Sequence, residues 1–144
     1  MQAIVQYADP IHRQAVIDLW NQVFGYQAAH NNPVTTIDLK LAVDDGLFFV
    51  CEQGGAVVGT TMAGYDGHRG WLYSVAVHPS QRRSGIGAAL VEAAEAALAA
   101  LGCLKINLQI IAENGKVAAF YEALGYSQEP RISMGKRIVV GSAA

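Results

Sequence analysis

The sequence predicts an α/β sandwich built around a mixed, largely antiparallel sheet of six to seven strands with about four helices against it. Three observations carry this expectation. Short β-branched and aromatic runs alternate with longer stretches whose apolar residues recur at helical spacing. Two of the strand-like runs are joined directly by Gly54-Gly55, a tight hairpin signal, so part of the sheet is antiparallel. A third run, ending at Val77, passes through Pro79 and a Gly-Ile-Gly turn into a long alanine-rich helix.

In chain order, Ala3 to Ala8 reads as a strand. Asp9-Pro10 then offers an N-cap and a first-turn proline to a helix with Ala15, Val16, Leu19, Trp20 and Val23 on its apolar face, ended by Gly25. Gln27 to Pro33 is polar, with Asn31-Asn32-Pro33 as a loop signal. Thr35 or Thr36 caps a shorter helix through Ile37, Leu39, Leu41 and Ala42, closed by Asp44-Asp45-Gly46. Strands 47–53, 56–65 and 71–77 follow, and Asp66 to Gly70 turns the second into the third. Simple alternation in the third places Trp71, Tyr73, Val75 and Val77 on one face and Leu72, Ser74 and Ala76 on the other. The alanine-rich helix after Gly85 runs to Leu101 and stops at Gly102, with Ile86, Leu90, Ala94, Ala97 and Leu101 as its core stripe, while Glu92 and Glu95 lie on a solvated face. Leu104 to Ile111 is a strand, and Asn114 caps a helix over 115–124 that Gly125 ends. Tyr126 to Pro130 and Arg131 to Val140 complete the sheet, with 141–144 as a frayed tail.

With 144 residues, 52% of them hydrophobic, the chain suits one domain over residues 1–144, its core at 3–140. Ten basic residues against twelve acidic ones, and a pI near 6.0, give no field to hold nucleic acid or an anionic membrane. Cys51 and Cys103 each sit in an apolar run and read as buried thiols rather than a disulfide. No Cys/His cluster has metal-ligand spacing, so no metal is expected. A basic leader is missing, and the apolar stretch 88–104 is broken by Glu92 and Glu95, so a cytoplasmic protein is expected.

The chemistry gathers in Val75-Ala-Val-His-Pro-Ser-Gln-Arg-Arg-Ser-Gly-Ile-Gly-Ala-Ala-Leu90. A helix start leaves its first N–H groups unpartnered and carries the positive end of the helix dipole. Glycines there let a bulky anion approach the backbone, so Arg82, Arg83, Ser84, Gly85, Ile86, Gly87 and Ala88 read as a phosphate cradle. The same run also reads as a strand-to-helix turn that needs glycine for its shape alone. A Walker loop is excluded, since Ala88-Ala89 follow Gly87 where lysine and a hydroxyl residue are required. A dinucleotide fingerprint fits poorly, with Leu90 at its third small position and Asn107 and Gln109, not an acid, on the next strand.

Arg82-Arg-Ser-Gly-Ile-Gly87 resembles the arginine-x-x-glycine-x-glycine signature of the GCN5-related N-acetyltransferase (GNAT) family, and it stands between a strand and a long helix as that family requires. Asn114, Ala118 and Phe120-Tyr121-Glu122-Ala-Leu-Gly125-Tyr126 resemble the family's closing element. Asp66-Gly-His-Arg-Gly70 and Gly135-Lys-Arg137 are further similar to a small bacterial subgroup of it. The resemblance implies a GNAT-like sheet splayed between its fourth and fifth strands, acetyl-CoA (coenzyme A) as cosubstrate, and transfer of an acetyl group to a primary amine by direct attack. It implies that residues 82–88 cradle the pyrophosphate and that Val75 and Val77 offer main-chain partners to the pantetheine arm. It implies that Asn114 touches the cofactor and that Tyr121 stands near the thioester sulfur as general acid and cofactor contact.

Many members carry a glutamate base on one of the two splayed strands, where this chain has Ser74, Asn107 and Gln109, none a base at neutral pH. Glu113, Asp66, His68 and Tyr73 are candidates acting through water, although Asp66-Gly67 is first a turn and His68 a loop residue. His78 is a strand-end residue restricted by Pro79. Two functional classes follow: an N-acetyltransferase for a small-molecule or protein amine, and a non-catalytic CoA-binding module. Either would work as a monomer or a homodimer, and the acceptor pocket is implied to lie among the first two helices, the loop near Asn31-Asn32 and the Asp66 turn.

Overall fold

In a computed structural model, residues 2–25, 32–111 and 114–138 are described. The expected loop at 27–31, the candidate Glu113, the end of the last expected strand and the tail at 141–144 lie outside them. The element order is β1 (Gln2–Gln6), α1 (Arg13–Phe24), α2 (Pro33–Val43), β2 (Phe48–Gln53), β3 (Ala56–Tyr65), β4 (Gly70–Val77), α3 (Ile86–Ala100), β5 (Ile106–Leu108) and α4 (Gly115–Ala123). Two compact units divide it, Met1–Gln109 and Ile110–Ala144.

The first unit holds a five-stranded sheet in the order β1-β2-β3-β4-β5. The first three pairings are antiparallel and β4–β5 is parallel, so the sheet is mixed, as expected. The glycine pair is the β2–β3 hairpin turn: Gly54 and Gly55 both take positive φ, 58° and 82°, which a two-residue turn matched to strand twist demands. Two core clusters show how the layers stack. Val16, Leu19, Trp20, Ile37, Val50 and Met62 pack together, whereas Cys51 joins Val58, Ile86 and Leu90. Val50 and Cys51 are successive strand residues and point to opposite faces. Helices α1 and α2 therefore cover one face and α3 the other.

Several expectations are corrected. The sheet has five strands among the described residues, not six to seven, because 126–138 forms no ladder there. A strand exists only through pairing, and Ile132, Met134 and Ile138 are instead 89%, 90% and 76% exposed. The fifth strand is confined to Ile106–Leu108, the part that meets β4. Helix α1 opens at Arg13, not Pro10. Its N-cap is His12, and the Asp9 carboxylate is occupied by the Tyr7 hydroxyl at 2.6 Å and Arg13 at 2.7 Å. Helix α2 is capped by Asn32, whose side-chain oxygen accepts from the N–H groups of Val34 and Thr35, ahead of the threonines. The buried stripe of α3 is Ile86, Leu90, Val91, Ala94 and Leu98; Leu101 is the C-cap, past the last turn, and exposed. Both cysteines are free thiols, but only Cys51 is buried; Cys103 is half-buried and donates to the Lys105 carbonyl.

Candidate active site

The centre of the first unit is a β-bulge in β4. Thr60 pairs with Ala76 and Met62 with Tyr73, so Ser74 and Val75 together oppose Thr61 alone. Ser74 takes a φ of 51°, left-handed for a residue with a side chain. A hydrogen-bond relay from the core holds it. The Trp20 indole N–H donates to Thr60 Oγ at 2.8 Å, and the Thr60 hydroxyl donates to the Ser74 carbonyl at 2.9 Å. Trp20 and Thr60 are fully buried.

The bulge overturns simple alternation along β4. Ahead of it, Gly70 lies against Leu98 of α3, while Tyr73 faces α2, with the Lys40 ammonium 5.4 Å from its ring centroid. Beyond it, Ala76 joins the α1 and α2 cluster and Val77 packs with Ile86 and Leu90 of α3. One extra residue exchanges the faces, so Val75 and Val77 do not share a face with Trp71 and Tyr73. The parallel ladder to β5 runs from Gly70–Ile106 to Leu72–Leu108, and β4 continues beyond it from Tyr73 to Val77.

From Val77 the chain passes into the expected anion turn. His78 caps a short 3-10 turn, Pro79–Gln81, its ring accepting the Ser80 N–H at 3.1 Å; that is its local role. Arg82 donates from Nε to the Val77 carbonyl at 3.4 Å, tying the arginine to the end of β4. The Ser84 hydroxyl donates to the Gln81 carbonyl. Arg83 and Gly85 both take positive φ, 65° and 83°, which turns the backbone sharply into α3. Gly85 is the N-cap and has no side chain to offer, so the N–H groups of the first turn receive no side-chain cap. Arg82 to Gly85 are exposed, and neither arginine makes an ion pair among the described residues. These features fit a phosphate group: open N–H donors, a helix dipole and two guanidinium groups without an ion pair among the described residues on one short loop. Gly87 plays a different part from Gly85, since it lies within α3 and is not among the positive-φ glycines. Its lack of a side chain is not required by the backbone.

In the second unit, Asn114 occupies the N-cap position of α4, but its side chain makes no capping hydrogen bond. Tyr121 is buried, with the rings of Phe120 and Tyr126 edge-on at 4.9 and 5.8 Å. Burial pushes its phenol up to about 12, so it holds its proton throughout the neutral range.

The other proposed bases have local work. The N–H groups of Arg69 and His68 and the Trp71 indole hold the Asp66 carboxyl down at about 2, which makes it the cap of its turn. His68 is exposed on that turn. One residue escaped the sequence reading. Lys40 is buried on the inner side of α2, donating to Asp45 at 2.9 Å and to the Ala63 carbonyl. A lysine between Leu39 and Leu41 carries no sign in sequence that it faces inward. Beside it, Thr36, Leu39, Lys40, Val43, Met62 and Tyr73 line a cleft of about 260 Å³.

Comparison with known proteins bears on the family and the fold. The family description "Acetyltransferase (GNAT) family" matches residues 13–126. Acetyltransferase YE1169 of Yersinia enterocolitica is 44% identical over 110 residues, 76% of this chain and 78% of that protein. Among solved structures, AAC(6')-Iy in complex with the bisubstrate analogue CoA-S-monomethyl-acetylneamine matches with a TM-score of 0.79 at 19% identity, covering 96% of this chain and 99% of that one. Glucosamine-6-phosphate N-acetyltransferase from Arabidopsis thaliana gives 0.71 at 22% identity, with 96% and 99% covered. At such identities these structures speak for the fold, a mixed sheet with four helices, and the family match speaks for descent. The chain belongs to the GNAT family of acetyltransferases.

Proposed function

We propose that this acetyltransferase moves an acetyl group from acetyl-CoA to a primary amine by direct attack, with both units acting as one domain. The carrying observation is the turn at 82–88, where left-handed Arg83 and Gly85, an uncapped helix start and two unpaired arginines converge. Arg82, Arg83 and the main chain from Ser84 through Gly85, Ile86 and Gly87 to Ala88 would hold the pyrophosphate. The match to a structure solved with a CoA-bearing analogue supports acetyl-CoA as cosubstrate.

In this reading β4 and β5 part beyond the Leu72–Leu108 pair, and the main chain at Val75 and Val77 receives the pantetheine arm. The bulge redirects main-chain N–H groups out of the ladder, where one can donate to the carbonyl oxygen as negative charge develops there. Asn114, with its amide uncommitted to capping, contacts the cofactor. Tyr121 donates to the departing sulfur. Its value of about 12 lies roughly three units above a free thiol, so it begins as a hydrogen bond to a thiolate that the same burial makes more basic. No carboxylate stands at Ser74, Asn107 or Gln109, so the amine is taken up in its neutral form and positioning supplies most of the rate. The free thiols of Cys51 and Cys103 suit a reducing cytoplasm.

The test is release of CoA thiol from acetyl-CoA across an amine panel, alongside the acetyl-CoA dissociation constant. Thiol release that depends on the amine supports transfer. Tight binding with no release for any amine would leave the non-catalytic CoA-binding module.

A further inference from the structure

We infer that Thr60 is a positioning residue for the transfer: its buried hydroxyl, acting through the Ser74 carbonyl, aims the Val75 N–H at the acetyl carbonyl of the donor. This rests on the proposed reaction and names the side chain that sets the direction of its main-chain donor. A peptide unit is planar and trans, so its C=O and N–H point opposite ways. The Ser74 carbonyl and the Val75 N–H belong to one such unit. The Thr60 hydroxyl holds that carbonyl at 2.9 Å from the side of β3 and Trp20. The Val75 N–H therefore points away from both, toward the β5 side of β4 and the face that α3 covers. There the ladder to β5 ends at Leu72–Leu108, so no β5 residue among the described ones pairs with Val75. The turn at 82–88 opens α3, so a cofactor held there lies on the same side of the sheet.

The chemistry of the three groups fixes the sense of the relay. An indole N–H can only donate, so Trp20 occupies an acceptor position of the Thr60 oxygen at 2.8 Å. The single Thr60 proton is left for the Ser74 carbonyl. Trp20 and Thr60 are fully buried, which keeps water from competing for either bond. Ser74 needs this hold. Its φ of 51° lies in a region that residues with side chains seldom occupy, and a return to negative φ would re-aim the peptide that follows. An oxyanion donor works only when it is aimed in advance at the place where charge develops.

The adjacent threonine supplies the contrast. Thr61 stands between Thr60, bonded to Trp20, and Met62, packed with Trp20 and Ile37, so by strand alternation it faces α3. It too is fully buried, and its hydroxyl has no hydrogen-bond partner among the described residues. Thr61→Val therefore makes the same exchange of hydroxyl for methyl, one residue along, without cutting a bond to β4.

The experiment compares the parent with Thr60→Val, Thr60→Ser and Thr61→Val as full chains, in the cold. The kcat for thiol release is scored per CoA-binding site, so that a less stable variant is not read as a slower one. The amine is the panel member that the parent acetylates fastest. Removing an oxyanion donor outright costs about 10²–10³-fold. A donor left in place but no longer aimed is expected to cost Thr60→Val about tenfold or more in kcat, with acetyl-CoA affinity and the KM for the amine within about threefold. Thr60→Ser and Thr61→Val are both expected to stay within about threefold of the parent in kcat. In parallel, the Val75 amide proton is followed by NMR. It is expected to move downfield with acetyl-CoA relative to CoA, which lacks the carbonyl, and to move less in Thr60→Val. Three results would overturn the inference: kcat of Thr60→Val within about threefold of the parent, a loss in Thr60→Ser or Thr61→Val as large as in Thr60→Val, or no Val75 shift in the parent. The last needs no variant to fold. The two readings fail differently. Thiol release that survives Thr60→Val upholds transfer and defeats the role of Thr60. A Thr60-dependent Val75 shift without thiol release for any amine upholds the aim that Thr60 gives and defeats the transfer reaction.

Discussion

Replacing Thr60 by valine tests the relay that holds the bulge. The substitution exchanges a hydroxyl for a methyl of similar size, so it opens no cavity at this fully buried position. It removes both hydrogen bonds that the oxygen makes, from the Trp20 indole at 2.8 Å and to the Ser74 carbonyl at 2.9 Å. The indole N–H is then stranded in an apolar core, at a cost of about 1–3 kcal/mol, and the carbonyl loses a bond worth about 0.5–1.5 kcal/mol. Together these give about 1.5–4.5 kcal/mol, or a fall in Tm of roughly 5–15 °C for a chain of this size. Thr60→Ser keeps the oxygen and loses a methyl group, at about 1 kcal/mol. Urea and thermal unfolding of the three proteins check the ranking. If Thr60→Val is no less stable than Thr60→Ser, the relay does not hold the bulge and the argument from Trp20 to Ser74 fails.

Acetyl-CoA at a hundredfold excess over its dissociation constant is expected to stabilise the fold by roughly 2.7 kcal/mol, visible as a melting shift, with NAD and ATP far behind. A larger shift with NAD would count against the cradle. Gly87→Val is expected to abolish acetyl-CoA binding without loss of stability, because Gly87 is helical and valine has the better helix propensity by a few tenths of a kcal/mol; undiminished binding in calorimetry would refute its role. Tyr121→Phe is expected to lower kcat by about 10²–10⁴-fold with little change in acetyl-CoA affinity, measured on an amine for which chemistry limits turnover. The same variant checks the raised phenol. A folded value of about 12 against 10 in the unfolded chain adds stability that is complete below pH 10 and lost as the pH rises through 12, on the order of 3 kcal/mol in all. Urea midpoints of the parent should fall across that window more steeply than those of Tyr121→Phe.

Much of the stretch proposed to hold the acetyl donor was legible in the sequence because it is written in local terms. Glycine at 54, 55 and 85 marks positive φ, which depends on the residue itself and its neighbours. The apolar period of residues 86–98 marks a helix whatever it packs against, and Arg82, Arg83 and Gly85 announce an anion turn by type and spacing. The bulge of β4 and its surroundings were not legible in this way. That Ser74 would bulge and exchange the faces of Val75 and Val77 depends on Thr60, fourteen residues away, and on Trp20 behind it. That Lys40 would turn inward depends on Asp45 and on a carbonyl of β3. The run 126–138 carries strand-like residues, yet a strand is a property of a pair and this stretch forms no ladder among the described residues. Sequence by itself determined the features whose energy is paid within a few residues, namely turns, helix periods and the glycine-bearing loop into α3 proposed to hold phosphate. Only the tertiary structure decided the bulge, the buried lysine and the cleft between them, because their hydrogen bonds and contacts join residues that the chain keeps far apart.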